Sequence, residues 1–320
     1  MSTPAMHVVI VNYRTGALVV DCLKSLAVEV AATPGLRATV VDNASGDGSC
    51  GVIAAAIAAH GWGEWADLLP SPVNGGFACG NNLAVRVLLD RTDPPDLFWL
   101  LNPDTRVVPG AVRALSDFLR DHPEAGIAGS ALIEGDGVLW PYAFRFPTIL
   151  SETERGARLG AVSRLLAGRS VLRRMPPVAA PVDWVSGASM VVRRAVFESV
   201  GLMDESYFLY FEETDFCLQA RKAGWQTWYV PHGSVVHIAG QSTGLIDGQP
   251  VAARVPRYWF ESRRRYFVKN HGRAYAVLAD IAWAVTHLMW RARRRIAARA
   301  DDDPPALLTD FLRHSAIVGG

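Results

Sequence analysis

The run Leu97-Phe98-Trp99-Leu100-Leu101, followed at once by Asn102-Pro103-Asp104, constrains this chain more than any other stretch. A short, wholly apolar run suits a strand buried on both faces, and such strands belong to sheets covered by helices. Pro103 has no N–H for a ladder and disfavours helix at Asn102, so the strand must end there. Asp104 is then presented at the strand's carboxyl end, where open α/β sheets place their ligands. A carboxylate in that position suits a hard cation that in turn grips phosphate oxygens.

The blocks around this run alternate in the same sense. His7 to Tyr13, Thr39 to Val41 (ending at Asp42), and Asp67 to Leu69 read as strands; Gly16 to Val28, Gly51 to Ala59, Gly80 to Leu89 and Gly110 to Leu119 carry helical spacing. That alternation predicts an α/β sheet flanked by helices. With 320 residues, 50% apolar and 20% charged, the chain has material for one large domain with an extension, or for two small ones. A formal net charge of +1 gives no reason to expect nucleic acid as a partner. Cys22, Cys50, Cys79 and Cys217 form no CxxC pair and read as reduced thiols of a cytosolic protein. Met1 to Met6 is polar, unlike a signal peptide, and the best candidate for a spanning helix carries Asp280 and His287.

Several short polar motifs fall where these strands end. Asn12-Tyr13-Arg14 closes the first, Asp42-Asn43-Ala44-Ser45 the second, and Asn74-Gly75-Gly76-Phe77 precedes the third helix, with Asn81 and Asn82 in its first turns. Amides and carboxylates so placed can bond a ribose and a base edge, and the glycines admit a close backbone approach. Taken singly, each also reads as an ordinary turn. A second cluster, Asp204 to Asp215, sets Glu212, Glu213 and Asp215 behind an aromatic run. Crowded carboxylates raise one another's pKa, as a general base near neutral pH requires. Thr214 and Asp215 also suit the cap of a helix over Phe216 to Ala223, which leaves Glu213 as the candidate base and Glu212 as a structural or acceptor contact. His237 follows the strand-like runs Trp225 to Val230 and Val235-Val236, and is a second candidate metal ligand beside Asp104. Mg²⁺ or Mn²⁺ is the expected ion, Mn²⁺ tolerating imidazole more readily. No GxGxxG follows the first strand, so an NAD-binding enzyme fits poorly.

From about His7 to Gly244 these motifs resemble, in order, the inverting family 2 glycosyltransferases of GT-A fold, and most nearly the bacterial rhamnosyltransferases that extend lipid-diphosphate-linked N-acetylglucosamine. The resemblance implies a Rossmann-like mixed sheet flanked by helices, with a C-terminal helical extension. It implies donor contacts at Asn12, Tyr13, Arg14, Asp42, Asn43, Asn74, Gly76, Phe77, Asn81, Asn102 and Asp104. Asp104 would be the metal carboxylate of the family's DxD motif, with Asn102 in place of the first Asp, and His237 its partner ligand. Glu213 stands where the group usually has the Asp of Glu-Asp, the catalytic base, and Glu212 would share the role; Trp184, Gly187 and Asp215 would face the acceptor. The implied donor is dTDP-rhamnose, with UDP-galactofuranose, UDP-glucose or UDP-N-acetylglucosamine as rivals, and a catalytically inactive nucleotide-sugar binder as the non-enzyme alternative.

Residues Glu134 to Val182, with Trp140-Pro141, Phe146-Pro147 and an arginine-rich piece from Glu152 to Arg174, read as a long, mobile loop. The expected division is a catalytic domain over 1–250 and a helical extension over 251–320. In the extension, Tyr258 to Phe267 interleaves aromatics with arginines, Ala274 to Trp290 is apolar with a partial polar stripe, and Arg291 to Arg295 is basic. Such a helix can lie on an anionic membrane, or pack as a hairpin with solvated arginines. With a lipid-linked or saccharide acceptor, the expected location is the cytoplasmic face of the cell membrane.

Overall fold

The β-branched run after Met6 pairs with an apolar run on each side, and that pairing organises the first half of the chain. In the computed structural model, which describes residues 5–135, 137–238 and 254–318, the elements begin with Met6–Asn12 (β1), Gly16–Ala32 (α1), Arg37–Asp42 (β2), Ser49–Ala59 (α2) and Ala66–Pro70 (β3). Gly76–Leu89 (α3), Leu97–Leu101 (β4), Thr105–Val107 (β5), Ala111–Asp121 (α4) and Ala125–Glu134 (β6) follow. Next come Leu139–Trp140 (β7), Tyr142–Phe144 (β8), Ile149–Ala157 (α5), Gly160–Leu165 (α6), Leu172–Arg174 (β9) and Ala180–Val182 (β10). The chain continues through Ser189–Arg193 (β11), Arg194–Val200 (α7), Glu212–Lys222 (α8) and Gln226–His237 (β12). It closes with Arg257–His271 (α9), Arg273–Ile296 (α10) and Leu307–Arg313 (α11).

Two compact units result. The first comprises Met1–Ala143, Arg174–Phe208 and Glu212–Asp247; the second comprises Phe144–Arg173, Leu209–Phe211 and Gly248–Gly320. The expected boundary at residues 250 and 251 lies outside the described residues, as does the Gly240-Gln241-Ser242 stretch after His237.

The first unit is a mixed sheet in the order β10-β12-β6-β11-β4-β1-β2-β3, with β5 on β12 and β7 on β6. Strands β4, β1, β2 and β3 run parallel, as βαβ connections require, while β11 enters antiparallel between β4 and β6. Val8, Val9, Ile10, Trp99, Leu100 and Val191 are fully buried. Each such side chain contributes about 1.5–3 kcal/mol over its exposed state. Two charged or titratable groups drawn into this core are well partnered. His7 meets Thr39 Oγ1 at 2.8 Å, and burial, then Arg91 and Arg37, hold its pKa down to about 3, so it sits there neutral. Glu29 accepts from the N–H groups of Gly110 (2.7 Å) and Val112 (2.9 Å), closing the N-terminus of α4 with a buried carboxylate.

The second unit is helical, and together with strands that the first unit takes from the same stretch it corrects the loop expected over Glu134 to Val182. That stretch carries β7 to β10 as well as α5 and α6, and Ser151, Glu152 and Gly156 of α5 are buried. Helix α5 lies so close to α10 that a Cβ at Gly156 would fall 2.3 Å from Thr286 Oγ1 and 2.6 Å from the Trp283 carbonyl. Thr148 starts α5 with a reciprocal cap: its Oγ1 accepts from Ser151 N–H, and Ser151 Oγ accepts from Thr148 N–H. Phe260, Trp283, Ala284 and Phe311 form the unit's apolar centre. Arg263 is buried between Glu152 (2.8 Å) and Asp280, joining α5, α9 and α10.

Two boundaries differ from expectation near the carboxylate cluster. Helix α8 begins at Glu212 rather than Phe216, so Glu212 and Glu213 lie in its first turn, where the helix dipole tolerates acids. The runs Trp225 to Val230 and Val235-Val236 belong to one strand, β12, interrupted by a register shift between Val230 and Val235.

Candidate active site

Strand register brings the polar motifs to one edge. Asn12 stands opposite Asp42, Ile10 opposite Leu101, and Leu101 opposite Ser189. The carboxyl ends of β1, β2 and β4 therefore coincide with the beginning of antiparallel β11. The segments after Asn12, Asp42 and Leu101, and the one before Ser189, open on the same side of the sheet, all within the first unit.

At the first two strand ends the side chains build a small fixed frame. Asp42 Oδ1 accepts from Asn12 Nδ2 and from Ser45 Oγ, each at 2.6 Å, and its Oδ2 accepts from Ser45 N–H at 3.1 Å. Burial raises its pKa, but these donors and the Cys50 thiol bring it below the ordinary carboxylate value. Asn12 Oδ1 accepts from Thr15, and Arg14 holds a left-handed φ of 59° with its N–H on Ser45 Oγ and its Nε on the Ser45 carbonyl. The Arg14 guanidinium lies 5.0 Å over the exposed Tyr13 ring. Ser45 is the hub of this frame and was not among the expected site residues. Its signal was its place three residues after an Asp at a strand end, where a hydroxyl can close a turn.

Asn43 is buried, and its Nδ2 donates to Asn74 Oδ1 (2.9 Å) and to the Gly76 carbonyl (3.0 Å). Those two acceptors orient the amide and leave Asn43 Oδ1 shielded from solvent with no hydrogen-bond partner among the described residues. Gly76 opens α3 at φ +85°, and a Cβ there would fall 1.8 Å from the Phe208 carbonyl oxygen, which also accepts from Phe77 N–H. Only glycine fits. Asn81 donates to the Phe77 carbonyl along the helix, while Asn82 ties α3 to Met203 and Glu205.

At the end of β4, Asn102 N–H donates to the Ala188 carbonyl, and the Asn102 carbonyl accepts from Thr105 Oγ1. Thr105 then pairs with His237 across β5 and β12, which carries the histidine to the buried Asp104: His237 Nε2 and Asp104 Oδ1 are 3.4 Å apart. One carboxylate oxygen and one imidazole nitrogen so close are a fitting donor pair for a single divalent ion that takes both oxygen and nitrogen. Among the described residues, the group of three acids with converging oxygens is elsewhere, at Asp301, Asp302 and Asp303 of the second unit. There Arg294 pairs with Asp301 and Arg158 with Asp303.

Glu213, in the first turn of α8, reaches the segment before β11. Its carboxylate accepts from the N–H groups of Gly187 and Thr214, yet burial dominates and raises its pKa above the ordinary value. Its Oε2 is shielded from solvent and has no hydrogen-bond partner among the described residues. Gly187 and Ala188 are adjacent, so one short segment bonds to Glu213 through Gly187 N–H and to the end of β4 through the Ala188 carbonyl. A Cβ at Gly187 would come within 3.0 Å of the Phe77 ring, which brings the Asn74 to Phe77 motif to the same segment. Trp184 is half-buried at the start of this segment. Asp215 is buried and accepts from Gln219 one turn on; Glu212 is buried too. Just before them, Tyr210 (φ 70°) and Phe211 (φ 68°) are both left-handed. Bulky residues in that region cost about 1–3 kcal/mol each, a strain that clusters at functional sites.

Comparisons with known proteins agree with this architecture. N-Acetylglucosaminyl-diphospho-decaprenol L-rhamnosyltransferase of Mycobacterium tuberculosis is 30% identical over 311 residues, covering 93% of this chain and 92% of the relative. Rhamnosyltransferase WbbL of Escherichia coli is 26% identical, covering 61% and 71% respectively. Among solved structures, the mannosyltransferase PcManGT of Pyrobaculum calidifontis, in complex with GDP-Man and Mn²⁺, superposes with TM-score 0.57 at 16% identity, over 97% of this chain and 79% of that one. TarS of S. aureus, residues 1–349, gives 0.53 at 13% identity, over 97% and 80%. These two likenesses are of fold, and they place the sheet among the GT-A glycosyltransferases. The sequence match to the family described as glycosyltransferase like family 2 runs over residues 4–265, from the first strand into α9, and with a strand-edge site of this kind the chain belongs to that family.

Proposed function

We propose that the chain transfers a rhamnosyl group, with inversion, from dTDP-rhamnose to N-acetylglucosamine carried on a lipid diphosphate, at the cytoplasmic face of the membrane. The observation that carries this reading is Glu213, a half-buried carboxylate whose shielded Oε2 has no partner among the described residues, bonded to the segment that also touches the end of β4. The donor and acceptor classes rest on the relatives, whose names specify rhamnosyl transfer and, in one case, a diphospho-decaprenol acceptor.

In this reading Glu213 takes the proton of an acceptor hydroxyl as that oxygen bonds to the anomeric carbon of the donor. The bond from that carbon to the diphosphate breaks on the opposite face, and the nucleoside diphosphate leaves with the electron pair. Elevated basicity serves the proton transfer, because a carboxylate at its ordinary pKa is a weak base at neutral pH. Asp104 and His237 would hold the divalent ion, Mn²⁺ rather than Mg²⁺ because imidazole is one of the donors. Such an ion supplies positive charge for the departing diphosphate. On the nucleoside side, Asn43 Oδ1, without a partner among the described residues, suits a base that offers an N–H at its edge, as thymine and uracil do. Asp42 acts there as the post that fixes Asn12 and Ser45, and Trp184 offers an aromatic face to a sugar ring.

The purified protein should be incubated with N-acetylglucosamine linked to a polyprenyl diphosphate and, separately, dTDP-rhamnose, UDP-galactofuranose, UDP-glucose or UDP-N-acetylglucosamine. Product is expected with dTDP-rhamnose, lost on chelation and restored by Mn²⁺. Turnover with a UDP-sugar alone would replace the donor, and product formation in the presence of chelator would remove the metal assignment.

A further inference from the structure

Helix α10 turns an uncharged apolar face outward. Between Arg273 and Arg291 its ionisable groups other than Tyr275 are Asp280 and His287, and both are buried. Asp280 is spent on Arg263 and on the Ala316 N–H, and His287 Nε2 lies 3.2 Å from Asp303. The opposite face presents Leu278 (54% exposed), Ile281, Val285, Leu288, Met289 (60%) and Ile296. Those positions recur at three and four residues, so they form one stripe along the helix. At about 1.5 Å per residue, the stripe runs about 27 Å. Monomeric soluble proteins rarely leave so continuous an apolar strip open to water.

Charge identifies the occupant. Arg293 and Arg295 flank the stripe on either side in the last turn, are exposed, and enter no ion pair among the described residues. No exposed acid lies on α10. No described helix is long and apolar enough to cross a membrane, so the segment has the character of a helix lying in the interface plane. We infer that the Leu278 to Ile296 face of α10 docks on an anionic lipid bilayer, apolar side chains entering the acyl boundary and Arg293 and Arg295 meeting lipid phosphates. The inference rests on the reading of a lipid-linked acceptor and deepens it by naming the surface that meets the membrane.

The test is sedimentation of the full chain with phosphatidylcholine vesicles, with and without 30% phosphatidylglycerol, at low and high salt. Strong binding to the anionic vesicles is expected, reduced at least tenfold in I281Q/L288Q and severalfold in R293A/R295A, with circular dichroism unchanged. Wild-type protein that stays in solution with anionic vesicles at low salt overturns the inference. So does a dimer in light scattering that I281Q/L288Q dissociates without altering vesicle binding, because the stripe is then a contact between copies. Transfer to a short-chain, water-soluble diphosphate acceptor separates the two readings. If it persists while vesicle binding is absent, only the docking face is wrong; if transfer fails with every donor while vesicles bind, the donor–acceptor reading is wrong.

Discussion

The two units each shield a glutamate carboxylate from water and treat it in opposite ways. Glu152 in the helical unit is 4% exposed, and two guanidiniums, Arg155 and Arg263, close on it. Burial alone would raise its pKa, but those charges bring it below the ordinary glutamate value. Among the described residues, Glu213 in the sheet unit receives backbone N–H groups alone, and desolvation leaves its pKa raised. One carboxylate is neutralised and structural; the other keeps an oxygen with no partner among the described residues. Arginines close on the first acid, and none among the described residues closes on the second, which leaves the second acid available for a proton.

The largest effect expected from this contrast is at Glu213. E213Q keeps the shape and the backbone hydrogen bonds but removes the base, so kcat should fall about 10³-fold, equivalent to about 4 kcal/mol. Donor affinity, followed by calorimetry, should change little. Retained turnover would move the base to Glu212 or elsewhere. At Glu152 the same substitution should leave the chemistry alone and strike the fold. E152Q strands Arg263 in a site where its side chain is 3% exposed, and losing one partner of a buried pair costs about 3–5 kcal/mol. Urea unfolding should show that loss; a change under about 1 kcal/mol would mean that Asp280 alone satisfies Arg263.

The sheet edge was legible in sequence because its signals are local. A strand buried on both faces is a continuous apolar run, and Asn12, Asp42 and Asn102-Pro103-Asp104 punctuate such runs where ligands bind. The helical unit was illegible for the converse reason. Glu152 and Arg263 are 111 positions apart, so nothing beside Glu152 marks α5 as buried, and the prolines and arginines of the surrounding stretch imitate a loop. Helix α8 was placed four residues late because two left-handed aromatics precede it, a conformation that their residue types argue against. The pairing of His237 with Asp104 was expected from the histidine's place after a strand-like run and from the resemblance; its physical cause, the antiparallel register of β5 on β12, involves a strand of three residues that carries no pattern.

The smallest expected effect sharpens the contrast most, because it reverses sign between the units. A carboxylate with a raised folded-state pKa binds its proton more tightly folded than unfolded. Its contribution to stability is therefore favourable in acid and is lost as pH rises from the ordinary value of 4.5 through the folded-state value. For Glu152, held low, stability is present above 4.5 and is lost as pH falls through the folded-state value. E213Q should thus be more stable than wild type at pH 7, by about 1 kcal/mol for each unit of displacement, with the advantage vanishing below pH 4.5. E152Q should be less stable at pH 7, with the deficit shrinking in acid. Thermal unfolding of both variants and wild type from pH 4 to 8 would display the crossing. Parallel curves for the two variants would mean that Glu213 is as well neutralised as Glu152, and a neutralised carboxylate has no lone pair to spare for an acceptor hydroxyl.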